Sequence, residues 1–240
     1  MTDIRRHALL DSTNEEARRL ALAGEHGPLW IVAAEQSSGR GRRGREWVSK
    51  PGNLFVTHLC EVSAPPEACA QLSFAAALAA SDAIACYAPN ADINLKWPND
   101  ILLERRKVAG ILLEAAPNGA VVRLIVGIGI NLAHFPVDTE FPAISLASVT
   151  QHAPEPDAVL TRLVAAWDAW YEDWLRQGFA PIRAAWLARA QGLGGNLKVR
   201  MGQSETEGVF ENLDEDGALL LRVQGGGRLR ITAGEVFFTH

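Results

Sequence analysis

The sequence predicts an α+β fold in which a larger domain, residues 1–191, precedes a small all-β domain, residues 192–240. Two observations support this division. Between residues 93 and 132, strand-like runs follow one another with only short turns between them, which favours largely antiparallel pairing in a mixed sheet. After Gly192, helical periodicity gives way to short alternating strands separated by turn residues. We therefore expect helices flanking one sheet, with a small separate barrel at the C-terminal end.

Start and stop signals place the elements of the larger domain in order. Ser12 and Thr13 each precede a glutamate by three residues, so two overlapping capping boxes predict that the first helix begins there and ends at Gly24. The strands that follow are predicted at 29–34, 53–62, 93–96, 100–103, 107–115 and 120–132, and the helices at 67–87, 157–177 and 180–190.

Two further patterns concern the second half of the chain. Trp167, Trp170 and Trp174 are spaced so that they share one helix face, which predicts core packing rather than a ligand cage. In the small domain, the strands are predicted at 197–201, 208–212, 218–223 and 228–231.

The composition is that of a globular protein. With 240 residues, of which 48 % are hydrophobic and 21 % charged, the chain can bury a full core, and general disorder is excluded. Apolar stretches are interrupted before the ~20 residues that a membrane span needs, and the N-terminus lacks a signal-peptide core, so we predict a cytoplasmic protein. Three cysteines without C-x-x-C spacing predict reduced thiols, and scattered histidines predict no permanently held metal ion.

The most informative segment is a loop at residues 39–47, Gly39-Arg-Gly-Arg-Arg-Gly-Arg-Glu-Trp47, here called the arginine loop. It holds three glycines and four arginines in a chain of net charge −5, which predicts a local anion-binding site. Its glycines match G-x-G-x-x-G, but Pro51 and Gly52 prevent the helix that a dinucleotide fold needs. Arg45-Glu46 replaces the Lys-Ser or Lys-Thr of a P-loop. Taken alone, the loop leaves open a solvated basic loop or a nucleic-acid patch.

Four further blocks favour a specific function. They are Asp11-Ser-Thr-Asn14, Lys96-Trp-Pro-Asn-Asp100, Lys107-Val-Ala-Gly-Ile-Leu-Leu-Glu114 and Gly127-Ile-Gly-Ile-Asn131. Together with the arginine loop, and in this order, these blocks resemble those of the biotin protein ligases, and the resemblance covers nearly the whole chain. It implies a sheet like that of the class II aminoacyl-tRNA synthetases and an SH3-like C-terminal barrel.

The resemblance also implies a two-step reaction. Biotin and ATP, with Mg²⁺, give biotinyl-5′-AMP and pyrophosphate, and the biotinyl group then passes to one lysine of the biotin carboxyl carrier domain of a carboxylase. Many bacterial relatives carry a winged helix-turn-helix and act as repressors. Only ten residues precede Asp11 here, so we expect neither that domain nor binding to DNA. A homodimer is compatible with the sequence.

By the same resemblance, biotin would be bound by polar side chains and glycines, namely Ser12, Thr13, Asn14, Gln36, Gly39, Arg40, Gly41, Arg42, Lys107 and Gly110. Hydroxyl and amide groups supply both donors and acceptors for the ureido ring. Helix capping alone is the alternative role for Ser12 and Thr13. Gly110 would allow the backbone to approach the biotin tail closely.

Lys107, Arg40 and Arg42 are the predicted catalytic residues. The resemblance makes Lys107 a fixed charge between the biotin carboxylate and the α-phosphate, where it would neutralise charge in the transition state. Without the resemblance, Lys107 would be interpreted as a surface lysine at a hairpin. We also expect the loop arginines to lack counter-charge until an anionic ligand binds, so that the loop closes over it.

The resemblance predicts nucleotide contacts from Arg42, Trp47, Asn99, Lys107 and Asn131. Trp47 suits a lid beside the adenine, with core burial as the alternative. Asn131 offers a paired donor and acceptor to the adenine, with turn capping as the alternative. Asp100 is a candidate either for holding Mg²⁺ or for deprotonating the acceptor lysine, and the sequence does not choose between these roles.

Three other functions compete with this interpretation. A lipoate ligase or octanoyltransferase of the same superfamily is disfavoured by the arginine loop and by the lack of a cysteine in any motif. A non-catalytic nucleic-acid-binding module would need a basic domain, whereas the net charge is −5. A related domain that has lost catalysis is disfavoured because Lys107, Arg40 and Arg42 are all present.

Overall fold

The computed structural model describes residues 3–137 and 139–239, which form two sheets. Seven strands build the larger sheet: β1 Asp3–Leu10, β2 Leu29–Gln36, β3 Leu54–Val62, β4 Ile93–Lys96, β5 Asp100–Leu103, β6 Arg106–Asn118 and β7 Val121–Ile130. Their order across the sheet is β1-β2-β3-β7-β6-β5-β4. Only β1 and β2 pair in parallel among the described strands, and the other neighbours are antiparallel. The predicted α+β class with a mixed, largely antiparallel sheet is therefore confirmed.

Six helices cover this sheet and extend from it: α1 Thr13–Leu22, α2 Pro66–Ala70, α3 Leu72–Ala85, α4 Ala147–Thr150, α5 Pro156–Gln177 and α6 Phe179–Leu187. The alanine-rich α3 is buried along almost its whole length and packs against α5, because small side chains let neighbouring elements approach closely. Trp167 and Trp174 of α5 are buried and Trp170 is half-buried, so the predicted core role of these tryptophans is confirmed.

The helix predicted at residues 67–87 is present over Pro66–Ala85, with a local interruption at Gln71 that separates α2 from α3. The side chain of Gln71 accepts a hydrogen bond from Trp174 Nε1 at 3.0 Å and donates one to the carbonyl oxygen of Glu215 at 3.3 Å. Tertiary hydrogen bonds thus hold this residue where the helical ladder is interrupted.

One helical stretch among the described residues, Pro66–Ala85, has the length and apolar composition of a membrane span. Two thirds of its apolar window, 67 %, is buried inside the protein. Burial of this extent is what the core helix of a globular domain shows.

The two predicted capping boxes at the start of α1 do not form. Ser12 is the N-cap residue, but its side chain makes no capping hydrogen bond. Glu15 pairs with Arg40, and Glu16 pairs with Arg19 at 2.8 Å, so these carboxylates are engaged by arginines instead of the helix start. The hydroxyl groups of Ser12 and Thr13 are thereby left for other partners.

The smaller sheet is entirely antiparallel and has five strands: β8 Asn196–Met201, β9 Ser204–Leu213, β10 Leu219–Arg222, β11 Arg228–Ile231 and β12 Glu235–Phe238. Four of them were predicted, but β12 was not. It pairs with β8 at the edge of the sheet, with Glu235 opposite Arg200. This pairing carries the last strand towards the larger sheet.

The two sheets share one hydrophobic core. Trp97 Nε1 donates a hydrogen bond to the carbonyl oxygen of Gly217 at 3.0 Å, and Arg183 Nε donates to that of Leu213 at 2.8 Å. A Cβ atom at Gly217 would lie 2.6 Å from the ring of Phe74, so only glycine fits between the two parts here. The smaller sheet is thus fixed against the larger one.

Candidate active site

A cavity of about 320 Å³ lies between the larger sheet, the arginine loop and β12. All but one of the predicted site residues line it: Ser12, Thr13, Asn14, Gln36, Arg40, Gly41, Arg42, Trp47, Asn99, Asp100, Lys107, Gly110 and Asn131. The exception is Gly39. A Cβ atom there would collide with Ser49 Oγ and with the carbonyl oxygen of Trp47, so Gly39 lets the loop pass close behind the cavity wall.

One end of the cavity, here called the neutral end, is lined by uncharged polar side chains of α1 and β2, and Thr57 of β3 lies behind them. Thr57 Oγ1 lies 2.8 Å from Thr13 Oγ1 and 2.7 Å from Asn14 Oδ1, and Thr13 donates its backbone N–H to Gln36 Oε1 at 2.8 Å. Thr13, Asn14 and Thr57 are all buried. Their hydroxyl and amide groups are therefore fixed in direction by one another.

Asn14 is held from two sides. Its Nδ2 donates to Glu114 Oε2 at 2.9 Å, and a Cβ atom at Gly127 would collide with its Oδ1. Gly127 of β7 is therefore the residue that leaves room for the Asn14 amide.

A hydrogen-bonded chain connects the neutral end to the arginine loop. Gln36 Nε2 donates to Ser49 Oγ at 2.8 Å, and Ser49 Oγ donates to the carbonyl oxygen of Trp47 at 2.7 Å. Ser49 was not predicted to take part. The loop is thus fixed to the same amide whose oxygen faces Thr13.

The opposite end of the cavity, here called the charged end, contains Lys96, Arg42, Asp100 and Lys107. Asp100 lies between the two lysines: its Oδ1 is 2.5 Å from Lys107 Nζ and its Oδ2 is 3.8 Å from Lys96 Nζ. β4 and β5 place Lys96 directly opposite Asp100 across the Trp97-Pro98-Asn99 turn. A bulge in the β5–β6 pairing lies beside Lys107.

Lys96 was not predicted as a site residue, although it is the first residue of the block Lys96-Trp-Pro-Asn-Asp100. Its side chain is only 5 % exposed, and its Nζ lies 3.2 Å from the centre of the Phe141 ring. Burial lowers the pKa of Lys96 to about 8, although the charge of Asp100 acts in the opposite direction.

Arg42 differs from the other arginines of its loop. Its Nη1 donates to Asn99 Oδ1 at 3.2 Å, and no carboxylate among residues 3–137 and 139–239 forms an ion pair with it. Burial, and then the charge of Arg43, lower the pKa of Arg42 below its ordinary value. A desolvated guanidinium in this position is suited to an anionic ligand.

The expectation that the loop arginines lack counter-charge is wrong for the other three. Arg40 pairs with Glu15 and lies 3.5 Å from Glu114, both in the larger domain. Arg45 Nη2 lies 2.6 Å from Glu235 Oε1, and Arg43 Nη1 lies 3.6 Å from the same atom. The chain's own glutamates therefore balance these arginines.

Glu235 and its neighbours bring β12 into the cavity wall, which the sequence interpretation missed. Gly234, Glu235 and Val236 all line the cavity, and Arg200 Nη2 lies 2.5 Å from Glu235 Oε2. Burial alone would raise the pKa of Glu235, but hydrogen bonds from Arg200 and Arg45 outweigh it and hold that pKa below its ordinary value. The sequence signal that could have identified Glu235 is a glutamate at the start of an apolar strand.

Trp47 is half-buried and its ring lies against the cavity wall. Cβ atoms at Gly129 and Gly110 would lie 2.6 Å and 3.1 Å from this ring, and Lys107 Nζ is 5.3 Å from a ring centre. Trp47 Nε1 is buried without a hydrogen-bond partner in the described part of the chain. The ring thus belongs to the cavity rather than to the apolar core.

The two asparagines of the site also make structural hydrogen bonds. Asn99 Nδ2 donates to the carbonyl oxygen of Ile111 at 2.6 Å, and Asn131 Nδ2 donates to that of Ile144 at 3.2 Å. Both residues line the cavity, and the Asn99 side-chain oxygen accepts the hydrogen bond from Arg42. Among the described residues, no group of three or more histidine, cysteine, aspartate or glutamate side chains is placed to hold a metal ion.

Such a cavity, uncharged at one end and cationic at the other, suits an enzyme that activates a small acid with a nucleotide. Comparison with known proteins supports this class of enzyme. Residues 7–131 match the biotin/lipoate A/B protein ligase family, and residues 192–239 match the biotin protein ligase C-terminal domain. The chain therefore belongs to the biotin/lipoate A/B protein ligase family.

Individual relatives narrow this assignment. The chain is 47 % identical to a biotin–[acetyl-CoA-carboxylase] ligase of Paracoccus denitrificans, covering 96 % of this chain and 98 % of the relative. It is 32 % identical to the bifunctional ligase/repressor BirA of Bacillus subtilis, covering 92 % of this chain and 69 % of that protein. The structure of the Aquifex aeolicus biotin protein ligase in complex with biotin and ATP superposes with a TM-score of 0.84 at 27 % identity, covering 100 % of this chain and 99 % of that one.

Proposed function

We propose that this chain is an ATP-dependent biotin ligase that forms biotinyl-5′-AMP, releases pyrophosphate and transfers the biotinyl group to a lysine of a biotin carboxyl carrier domain. One observation supports this most strongly. At the charged end, Lys96 and Lys107 form ion pairs with a single carboxylate, Asp100, and Arg42 forms an ion pair with no carboxylate in the described part of the chain. A ligand bearing a carboxylate and phosphates would restore the balance of charge.

The neutral end would bind the uncharged part of biotin. A ureido ring has two N–H donors and one carbonyl acceptor, and the hydroxyl and amide groups of Ser12, Thr13, Asn14 and Gln36 offer both kinds of partner. Because Thr13, Asn14 and Gln36 are held by hydrogen bonds with one another and with Thr57, they would bind the ring with little loss of side-chain freedom. Gly39 and Gly41 would let the loop backbone follow the ligand.

The charged end would catalyse adenylation. A biotin carboxylate oxygen attacks the α-phosphorus, the bond to the bridging oxygen breaks, and pyrophosphate leaves with that electron pair. Lys107 and Arg42, assisted by Arg40, would stabilise the charge that gathers on the phosphoryl oxygens. A Cβ atom at Gly110 would lie 3.3 Å from Lys107 Nζ, so this glycine provides the space in which the ammonium and the biotin tail would meet. No side-chain nucleophile is required.

Nucleotide contacts would come from both the loop and the sheet. Trp47, with its unpartnered Nε1, would lie beside the adenine, and Asn99 and Asn131 would offer their amide groups. Mg²⁺ would enter with the ATP phosphates. In the second step the acceptor amine attacks the mixed anhydride and AMP leaves, and Asp100 remains a candidate for the metal or for the amine proton.

The proposal extends to the domain division and to the type of each sheet. We propose that residues 1–191 form a ligase domain with a class II synthetase-like sheet, and that residues 192–240 form an SH3-like barrel. The position of the five-stranded sheet after residue 191 and the shared cavity support this division. We also propose a cytoplasmic enzyme that binds no DNA and recognises a carrier domain, with a homodimer as its candidate assembly.

A single incubation tests the activity. The protein is mixed with biotin, MgATP and a biotin carboxyl carrier domain, and the mass of the carrier is measured. We expect a gain of one biotinyl group that requires ATP and disappears when the acceptor lysine is replaced by arginine. Parallel reactions with lipoate or octanoate in place of biotin distinguish biotin ligation from the activities of related lipoate and octanoate enzymes. Labelling with lipoate and none with biotin would contradict the proposal, and so would the lack of any labelling.

A further inference from the structure

Asp100 is shared between two lysines that differ in their freedom to move. Lys107 is 26 % exposed and borders the open cavity, whereas Lys96 is 5 % exposed. Each lysine faces a different carboxylate oxygen, Lys107 at 2.5 Å from Oδ1 and Lys96 at 3.8 Å from Oδ2. The short ion pair of Lys107 with Asp100 must loosen if Lys107 is to reach a substrate oxygen.

Lys96 lies under an aromatic ring that is itself stacked on a ring of the smaller sheet. Phe141 lies over its ammonium group at 3.2 Å, and Phe141 stacks on Phe237 of β12 with ring centres 4.9 Å apart. In the part of the chain that the structure describes, Asp100 is the only carboxylate that forms an ion pair with Lys96. Its charge therefore acts inside the site and cannot be turned outward to solvent.

Removal of one partner from a buried ion pair leaves an uncompensated charge, which is strongly unfavourable. Asp100 is only 12 % exposed. If Lys107 were its sole counter-ion, moving Lys107 to the substrate would leave this carboxylate without a partner. With Lys96 beside it, Asp100 keeps a counter-ion throughout.

On the basis of the proposed function, we propose that Lys96 is a positioning residue: as the second counter-ion of Asp100, it frees Lys107 to bind the carboxylate and α-phosphate during adenylation. Lys96 then acts through Asp100 and need not touch the substrate. Phe141 contacts Lys96 and is supported by Phe237, so the smaller sheet contributes to the reaction through this stack.

A double-mutant cycle tests the role. The rate of biotinyl-5′-AMP formation is measured in a single turnover with biotin and MgATP, without a carrier. We expect Lys96→Met to slow this step by about 10- to 100-fold, because Asp100 then retains Lys107. Adding Asp100→Asn removes the carboxylate that retains Lys107. The double variant Lys96→Met/Asp100→Asn should therefore return to within about threefold of Asp100→Asn alone.

The controls separate this role from simpler ones. Lys50→Met, at an exposed lysine outside the cavity, should form the adenylate at the parental rate, and the melting temperature of every variant checks the fold. A Lys96→Met rate equal to that of the parent would overturn the proposal. So would a double variant slower than Asp100→Asn by the full factor, which would indicate direct contact of Lys96 with the phosphates. A parent that forms no adenylate would instead overturn the proposed function.

Discussion

The two ends of the cavity are built on different principles. At the neutral end, Thr13, Asn14, Gln36 and Thr57 are bonded to one another and carry no charge. At the charged end, Lys96 and Lys107 flank one carboxylate, Asp100, and Arg42 forms no ion pair with a carboxylate of the described residues. Rigid satisfied groups suit recognition of an uncharged ring, whereas an unbalanced cluster of charges suits stabilisation of a transition state. Substitutions at the two ends should therefore change different measurable properties of the protein.

The largest effect is expected at the charged end. Lys107→Ala should lower the rate of biotinyl-5′-AMP formation by about 100- to 1,000-fold, because it removes one preorganised charge from the transition state. The melting temperature should stay close to that of the parent, since Lys107 is partly exposed. Pyrophosphate release is the measurement, and Arg106→Ala, at the exposed neighbouring residue, is the matched control. A near-parental rate of release would remove Lys107 from its proposed role.

The same substitution at two glycines of β7 compares the two ends directly. A Cβ atom at Gly127 collides with the buried Asn14 amide, so Gly127→Ala should cost about 1–3 kcal/mol of stability and raise the KM for biotin. The three atoms nearest to a Cβ atom at Gly129 all belong to the Trp47 ring, the first at 2.6 Å, and this ring is carried by a loop. Gly129→Ala should therefore largely spare stability and raise the KM for ATP. Urea denaturation and steady-state kinetics measure both, and identical profiles would refute the distinction between the ends.

A smaller change tests the hydrogen bonds of the neutral end. Thr57→Val keeps the shape of the side chain but removes the hydroxyl that faces Thr13 and Asn14, so we expect a loss of about 1 kcal/mol in unfolding free energy. Biotin binding should weaken more than ATP binding does. Thr57→Ser, which retains the hydroxyl, is the control. If Val and Ser have the same biotin affinity, the hydroxyl does not orient the biotin site.

The smallest effect is expected where the loop meets β12. Glu235→Gln weakens the ion pairs with Arg43, Arg45 and Arg200, which should lower the affinity for ATP about two- to fivefold. Because the folded-state pKa of Glu235 lies below the ordinary value of 4.5, its charge stabilises the protein above that pH. The stability difference between parent and variant should shrink as the pH falls below 4.5. Thermal melts across this range measure it, and a pH-independent difference would contradict the assignment.

Local signals predicted most of this architecture. Turn residues and alternating patterns located the antiparallel strands between residues 93 and 132. The motif blocks identified site residues of which nearly all line one cavity in the structure. The features that were missed depend on tertiary contacts. β1, an edge strand with Arg5 and Arg6 in its middle, is defined by pairing with β2. β12 is defined by pairing with β8.

The site residues that escaped prediction share a physical reason. Thr57 lies within an apolar strand, where a threonine also suits ordinary sheet packing, and only the fold shows that it faces Thr13. Glu235 and Phe141 reach the cavity from distant parts of the chain. Periodicity reports which face of an element is buried, but it does not report which distant side chain lies opposite.

The position of β12 has a consequence for how the enzyme would be made. Synthesis runs from the N-terminus, and domains fold largely in that order, so Gly234–Val236 is among the last parts of the cavity wall to leave the ribosome. The neutral end, including Glu114 of β6 and Gly127 of β7 around Asn14, is complete in the sequence before Glu235, the shared partner of Arg43 and Arg45. The residues that would bind the ring of biotin are therefore all synthesised before the arginine loop gains this last counter-charge.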